Sequence, residues 1–354
     1  MDEKQSFPVA IVGGGPAGME AASILADAGL HVSLFEAKSD WADNLSNKYK
    51  LFPDFSSTDE LYRHLKSQID KDGISQFLNT EISSITKAGD VWKLTDNSGN
   101  EHKSSAVLLS TGYEIFDAKR KEELGFGIYD GVITSMQMEE MLKEQNINTA
   151  YGEAPQRIVF LQCVGSRDEK TGNHYCSKIC CITAVKQAIE VSRLMPQVEI
   201  FVFYMDLRMW GQHFEELYRE SQEQHNVRYI RGRISEAAST FDGRIQIKAE
   251  DTLIGKPLKM STDLLVLMVG MEPSCSTKKL SENCNIAGEY GFAQSKDPHL
   301  YDNMTNKEGL FLAGTCKRPM SIKETITDAR SAALEIIKRK APLNLPQGEK
   351  GGKL

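Results

Sequence analysis

At 354 residues the chain is long enough for two domains, and its composition (40% hydrophobic, 26% charged) rules out disordered and fibrous architectures. A net charge of −7 without any basic block argues against nucleic acid as a partner. The longest apolar run, Leu264 to Met271, falls far short of the roughly 18 residues that a spanning helix needs.

No secretory pattern precedes the first apolar segment, so the expected location is the cytoplasm and the expected class a soluble two-domain protein. Of seven cysteines, four crowd into Cys163–Cys181. Without a secretion signal, that crowding suggests metal or redox chemistry rather than a disulfide scaffold.

Pro8 to Val12 reads as a buried parallel strand. Gly13-Gly14-Gly15-Pro16-Ala17-Gly18 follows, with Gly13, Gly15 and Gly18 in G-x-G-x-x-G spacing. A helix over Met19–Ala28 ended by Gly29 comes next, then a strand over His31–Phe35 ending in Glu36. The spacing has a physical reason. Gly13 permits the tight turn, Gly15 lets the backbone approach a pyrophosphate, and Gly18 lets helix and strand pack closely. The phosphates then sit on free N–H groups at the helix start. Glu36, 23 residues after Gly13, stands where a carboxylate accepts hydrogen bonds from a ribose. In that full context the turn reads as a dinucleotide site rather than a bare glycine turn.

Ala106–Thr111 with Gly112, Leu264–Gly270, and Thr305–Thr315 with Gly309 and Gly314 read as further strands entering glycine turns, with a closing helix over Ile322–Lys338. This layout resembles flavoproteins of the thioredoxin-reductase and disulfide-reductase type. The resemblance implies an α/β fold with two Rossmann-like domains and FAD, not NAD, on the first fingerprint. It also implies a split FAD domain (1–118 and 272–340) around an inserted module (119–271), with Thr111, Gly112, Gly314 and Thr315 near the FAD. The segment Asn44–Asp59 is expected as a loop under the isoalloxazine, and 341–354 as a disordered tail.

The inserted module lacks its own fingerprint. Its first strand, Arg157–Gln162, runs into Cys163-Val164-Gly165-Ser166-Arg167-Asp168, with one glycine of three. Asp206, after the strand Val198–Tyr204, suits a ribose, yet a pyrophosphate would meet side chains. In place of the glycines stand Cys163, Cys176, Cys180 and Cys181, spaced C-x12-C-x3-C-C, with a helix read over Ser177–Leu194. Three-to-four spacing brings Cys176 and Cys180 to one face, and a helix start favours thiolates. Spacing leaves three readings open: buried structural cysteines, a poorly spaced zinc site, or a [4Fe–4S] site.

Cys163-Val-Gly-Ser-Arg167-Asp, Tyr175-Cys176-Ser-Lys-Ile-Cys180-Cys181, Lys186-Gln187-Ala188, Tyr204-Met-Asp-Leu-Arg208 and Gly112-Tyr113-x-x-Phe116-Asp117-Ala118 are similar to the A-type subunit of heterodisulfide reductase. They are also similar to the flavoprotein subunit of quinone-interacting membrane-bound oxidoreductase. The resemblance, in a compact bacterial form, implies one FAD and one [4Fe–4S] cluster on the four cysteines. It implies Lys186 near the flavin N5 with acidic Glu139 nearby, B- and C-type partner subunits, and a homodimer. The setting it implies is cytoplasmic sulfur or energy metabolism. The remaining Cys275, Cys284 and Cys316 are too few for a second four-cysteine cluster, so bifurcating chemistry is not expected. Gly314-Thr315-Cys316 replaces the usual Gly-Asp, leaving Thr315 or backbone N–H groups to contact the FAD. Cys316 reads as a buried filler or a redox thiol. Alternatives to the electron-transfer role are a flavin-binding scaffold and a stand-alone NAD(P)H reductase. Tyr204–Tyr218 reads as a docking face or as an amphipathic helix on its own sheet.

Overall fold

The protein is described by a computed structural model covering residues 7–42, 45 and 48–340. The order begins β1 (Val9–Val12), α1 (Pro16–Asp27), β2 (Val32–Phe35), α2 (Thr58–Ile69) and β3 (Ile74–Phe77). A meander β4–β6 (Ile82–Ala88, Val91–Asp96, Glu101–Ser104), β7 (Ala106–Leu109) and β8 (Tyr113–Ile115) follow. Then come β9 (Val132–Thr134), α3 (Ser135–Lys143), β10 (Arg157–Val164), α4 (Cys180–Leu194), β11 (Glu199–Tyr204), α5 (Phe214–Glu223) and β12 (Arg228–Arg231). A second meander β13–β15 (Ile234–Ser239, Ile245–Asp251, Lys256–Thr262) leads to β16 (Leu264–Val269) and β17 (Met271–Pro273). The chain closes with α6 (Cys275–Asn283), β18 (Leu310–Leu312) and α7 (Ile322–Lys340).

Two five-stranded parallel sheets organise the chain. The first runs β18-β7-β1-β2-β3 and the second β12-β11-β10-β16-β9. The expected α/β class with two Rossmann-like sheets is what the molecule has. Strands β1, β7 and β16 are buried along their whole length, as sheets covered on both faces require. The first sheet draws its last strand from beyond residue 309, and the chain crosses between sheets at β8 and β17, which pair antiparallel.

Both meanders escaped the pattern reading. Their strands alternate buried and exposed residues over short spans, a weaker signal than the continuous apolar runs. Three boundaries also move. Helix α1 begins at Pro16, whose fixed φ suits a first helical position. Strand β10 continues to Val164, taking Cys163 inside it at an irregularity in its register with β16. Helix α4 begins at Cys180, not Ser177, because Lys178 adopts a left-handed φ of 64° and Ile179 caps the helix. Cys176 therefore lies outside the helix, and helical spacing is not what brings it to Cys180. Among the described residues no helix is long and apolar enough to cross a membrane. The expected tail 341–354, and Asn44, Ser46 and Asn47 of the expected loop, lie outside the described residues.

Candidate functional site

The first turn is built as its glycines predict. A Cβ on Gly13, where φ is +110°, would lie 2.4 Å from Ser110 O, and one on Gly18 would lie 1.9 Å from Gly13 O. In front of Gly15 there is open space. Gly13 and Gly18 therefore serve chain packing, and Gly15 leaves room for a ligand at the start of α1. Glu36 is tied to the same turn: Gly14 N–H donates to its Oε2 at 2.7 Å and Lys38 N–H to its Oε1 at 2.9 Å.

A cavity of about 1830 Å³ opens from this turn. Gly13, Gly15, Pro16, Ala17, Glu36, Thr111, Gly112 and Thr315 line it, as do Glu139, Lys186 and Cys180. Gly18 and Gly314 do not line it. Gly18 sits behind the turn, and Gly314 donates its N–H to Asp328 Oδ2 at 2.6 Å. Asp328 belongs to a network that sequence reasoning missed. Lys317 Nζ reaches Asp328 Oδ1 at 2.7 Å and Asp302 Oδ2 at 2.9 Å, and Arg318 also binds Asp302. Against the upward pull of burial, bonds from Arg318 and Lys317 hold the Asp302 carboxyl down at about 2. Thr111 and Thr277 share a hydroxyl contact of 2.6 Å behind Gly112. Cys316 is fully buried, and its thiol donates towards Leu109 O and Ala313 O, each at 3.3 Å. Burial pushes that thiol up to about 12, which suits a filler rather than a nucleophile.

Lys186 is buried at 2% exposure, not displayed on a helix surface. Its Nζ donates to Glu139 Oε1 at 2.6 Å, to Glu139 Oε2 at 2.7 Å and to Lys50 O at 2.9 Å. Glu139 is positioned by α3, whose start carries a capping box between Thr134 and Gln137. It also accepts from Gln187 Nε2 at 2.6 Å and from Tyr49 N–H at 3.0 Å. The loop containing Tyr49 and Lys50 thus closes over the pair. Glu190, one turn past Lys186, completes the group; its i,i+4 spacing was the available signal.

The four cysteines converge at the carboxyl ends of β10 and β11 and the start of α4. All seven cysteines are free thiols. Cys163 carries a left-handed φ of 60°, and Arg167 one of 54°, so this turn is held in a conformation few side chains adopt. Each of the four sulfurs acts electrostatically on the other three. Burial first, and that repulsion next, pushes Cys163 up to about 12; burial also raises Cys180 and Cys181. Backbone donors meet the sulfurs: Lys178 N–H lies 3.3 Å from Cys176 Sγ and Arg208 N–H lies 3.5 Å from Cys181 Sγ. Among the described residues no three His, Cys, Asp or Glu side chains converge on a single metal-ion position.

Beside the cysteines, Arg167 donates to Asp206 Oδ2 at 2.6 Å, and Arg231 stands 3.8 Å from Asp206 Oδ1. Asp206 is therefore engaged by arginines, and a Cβ on Gly165 would strike the Phe116 ring at 2.0 Å. The Tyr204–Tyr218 stretch divides: Leu217 of α5 is buried against Ile182, Val185 and Ile189 of α4, while Trp210 is 66% exposed and lies on the cavity rim with His213 and Phe214.

The glycine geometry separates two substitutions. Gly18→Ala should fail to give a stable fold, because its methyl meets backbone. Gly15→Ala should fold with an unchanged melting temperature, because its methyl meets open space; a melting temperature lowered as far as in Gly18→Ala would contradict this geometry.

The family described as Pyridine nucleotide-disulphide oxidoreductase matches residues 2–147. The A-type subunit of the H(2)/formate:CoB-CoM heterodisulfide,ferredoxin reductase of Methanococcus maripaludis is 38% identical over 242 residues, which are 65% of this chain and 36% of that protein. The A-type iron-sulfur subunit of the CoB--CoM heterodisulfide reductase of Methanocaldococcus jannaschii is 38% identical over 241 residues, again 36% of its length. The chain thus spans about a third of the curated relatives it matches. Thioredoxin reductase from Lactococcus lactis superposes with a TM-score of 0.68 at 18% identity, covering 95% of this chain and 99% of that one. The thioredoxin reductase of T. acidophilum gives 0.66 at 18% identity, with the same coverage. Over about 65% of its length the chain is similar to the A-type subunits of heterodisulfide reductase, and its fold is that of the thioredoxin reductases.

Proposed function

We propose that this relative of the heterodisulfide reductase A-type subunits is the electron-transfer flavoprotein of a heterodisulfide-reductase-like complex, carrying one FAD and one [4Fe–4S] cluster. Its partners in this reading are B- and C-type iron–sulfur subunits, the chain pairs as a homodimer, and the setting is cytoplasmic sulfur or energy metabolism. One observation carries the reading: a single cavity runs from the dinucleotide turn past the Lys186–Glu139 pair to Cys180.

The residues fit both groups. Open space before Gly15, the free N–H groups at the start of α1 and a cavity larger than the usual roughly 300–1,000 Å³ of ligand pockets suit a molecule of FAD size. Glu36 at the end of β2 would take the ribose, with Thr111 and Gly112 just past β7 and Thr315 just past β18 lining the same cavity and Gly314 behind it. The cysteines supply four thiol donors with N–H groups aimed at two of them, the donor type iron–sulfur clusters take. Four thiols are the number and type such a cluster takes, and the C-x12-C-x3-C-C spacing departs from the paired cysteines usual for zinc. When bound, FAD supplies two-electron chemistry and the cluster one-electron chemistry. The chain's own share is to hold FAD in the cavity, with the cysteine set at its Cys180 end and the Lys186–Glu139 pair at its wall.

Anaerobic purification with iron and flavin assays tests this. Flavin bands plus about four irons per chain are expected. Flavin alone, unchanged by anaerobic reconstitution, would make the chain a scaffold; bleaching by NADH would make it a stand-alone reductase.

Arg167 provides a finer test. Its guanidinium acts on Cys163 and Cys176, and its NH1 is buried without a hydrogen-bond partner. A cation there stabilises the more negative, reduced cluster. Arg167→Met should lower the cluster's midpoint potential by at least about 59 mV, tenfold for a one-electron couple. Arg167→Lys should recover most of the change. An unchanged potential in Arg167→Met would remove the guanidinium from the cluster's surroundings.

A further inference from the structure

Lys186 is one cation between two buried carboxyl groups. An ammonium has three N–H donors, and here all three are committed, two to Glu139 and one to Lys50 O. Nothing is left for Glu190. Its side chain is 3% exposed, its Oε2 lies 3.4 Å from Lys186 Nζ and its Oε1 3.9 Å from Lys50 Nζ. Neither oxygen accepts a hydrogen bond. The charged groups facing Glu190 are Lys186 on its own helix, Glu139 on α3 and Lys50 on the covering loop. A buried carboxylate without hydrogen bonds, sharing its cation with a better-placed rival, is costly, more so than the neutral acid.

We propose that Glu190 is the proton reserve of Lys186, resting as the neutral carboxylic acid and refilling Lys186 whenever Lys186 gives a proton into the cavity. In that step one of the two N–H groups now held by Glu139 turns to the cavity, which Lys186 lines, and its bond breaks towards an acceptor there. The Glu190 O–H bond breaks in turn, its proton re-forms the ammonium, and a Glu190 carboxylate is left facing Lys50. Lys50, one-third exposed, gives solvent a route to restore the proton. No electrons move between these side chains. The acceptor is a group that gains negative charge on reduction, and only its identity as the flavin rests on the reading above. Glu190 acts through Lys186 and is a positioning residue. Burial and the Glu139 charge, which raise the Glu190 carboxyl against the pull of Lys186 and Lys50, agree with the geometry.

Infrared difference spectra of the holoprotein, oxidised against dithionite-reduced, test the proposal. The wild type should show the deuterium-sensitive band of one protonated carboxyl per flavin, shifted on reduction as its surroundings change charge, and Glu190→Gln should show no such band. Absence of the band in the wild type, or its persistence in Glu190→Gln, overturns the proposal. A second arm needs no flavin chemistry. A raised carboxyl lets the unfolded chain ionise first, so its contribution to stability is full below the ordinary value of 4.5 and is lost as pH rises through the folded value. Wild-type melting temperature should carry that decline, Glu190→Gln should lack it, and the variant should be at least as stable at neutral pH. A Glu190→Gln protein much less stable at neutral pH would make Glu190 a carboxylate and sink the reserve. A preparation that binds no flavin would instead fail the electron-transfer reading, while the melting curves still decide Glu190.

Discussion

Replacing Cys180 by serine is expected to strip the protein of iron while leaving its flavin in place. Cys180 opens α4, is buried, and is the one member of the cysteine set that also lines the large cavity. Serine keeps the shape of the side chain but offers an oxygen where iron–sulfur chemistry takes a thiolate. The dinucleotide turn belongs to other segments: Gly13–Gly18 join β1 to α1, and their packing partners are Ser110, Trp41, Glu36 and the backbone of the turn itself. Nothing in that set touches Cys180. Iron should therefore fall from about four per chain to less than one, and the flavin-to-protein ratio should stay constant. Cys316→Ser is the control, since that thiol is enclosed beside Leu109 and Ala313. It should retain its iron. Joint loss of iron and flavin in Cys180→Ser, or retention of both, would contradict the division of the cavity into two sites.

The parts of this arrangement that were legible in the sequence are those whose signal is local. A strand, a glycine turn with fixed spacing, a helix and an acid lie within 28 residues, Val9 to Glu36, and each has one structural solution. The parallel strands announced themselves by burial on both faces. What sequence concealed was set by contacts between distant segments. Lys186 looks like any lysine on a helix until Glu139, 47 residues earlier, and the carbonyl of Lys50 are brought to it. The aspartate missing after Gly314 is answered by Asp328, in the middle of α7, where no turn motif points. Helical spacing gave the wrong reason for the nearness of Cys176 and Cys180. The chain breaks at Lys178, and it is the tertiary fold that gathers the sulfurs. Glu190 was the exception, since its position one turn after Lys186 is a local signal that the motif at Lys186-Gln187-Ala188 overshadowed.

Removing the cation from that buried group should be the most destabilising single change at the site. Lys186→Met keeps the length of an apolar stem but leaves Glu139 and Glu190 facing each other without a positive charge between them. Breaking a buried pair by deleting one partner costs about 3–5 kcal/mol, because the survivor stays charged and dehydrated. Solvent screening offers little relief, as both partners are almost fully enclosed. The double variant Lys186→Met/Glu139→Gln should recover much of the loss, since the remaining amide can still accept from Tyr49 N–H and Glu190 can remain neutral. Chemical denaturation of the three proteins at neutral pH measures this directly. A Lys186→Met protein as stable as the wild type at neutral pH would mean that the lysine is not paired in solution as it is here, and the proton chemistry assigned to Lys186 and Glu190 would lose its foundation.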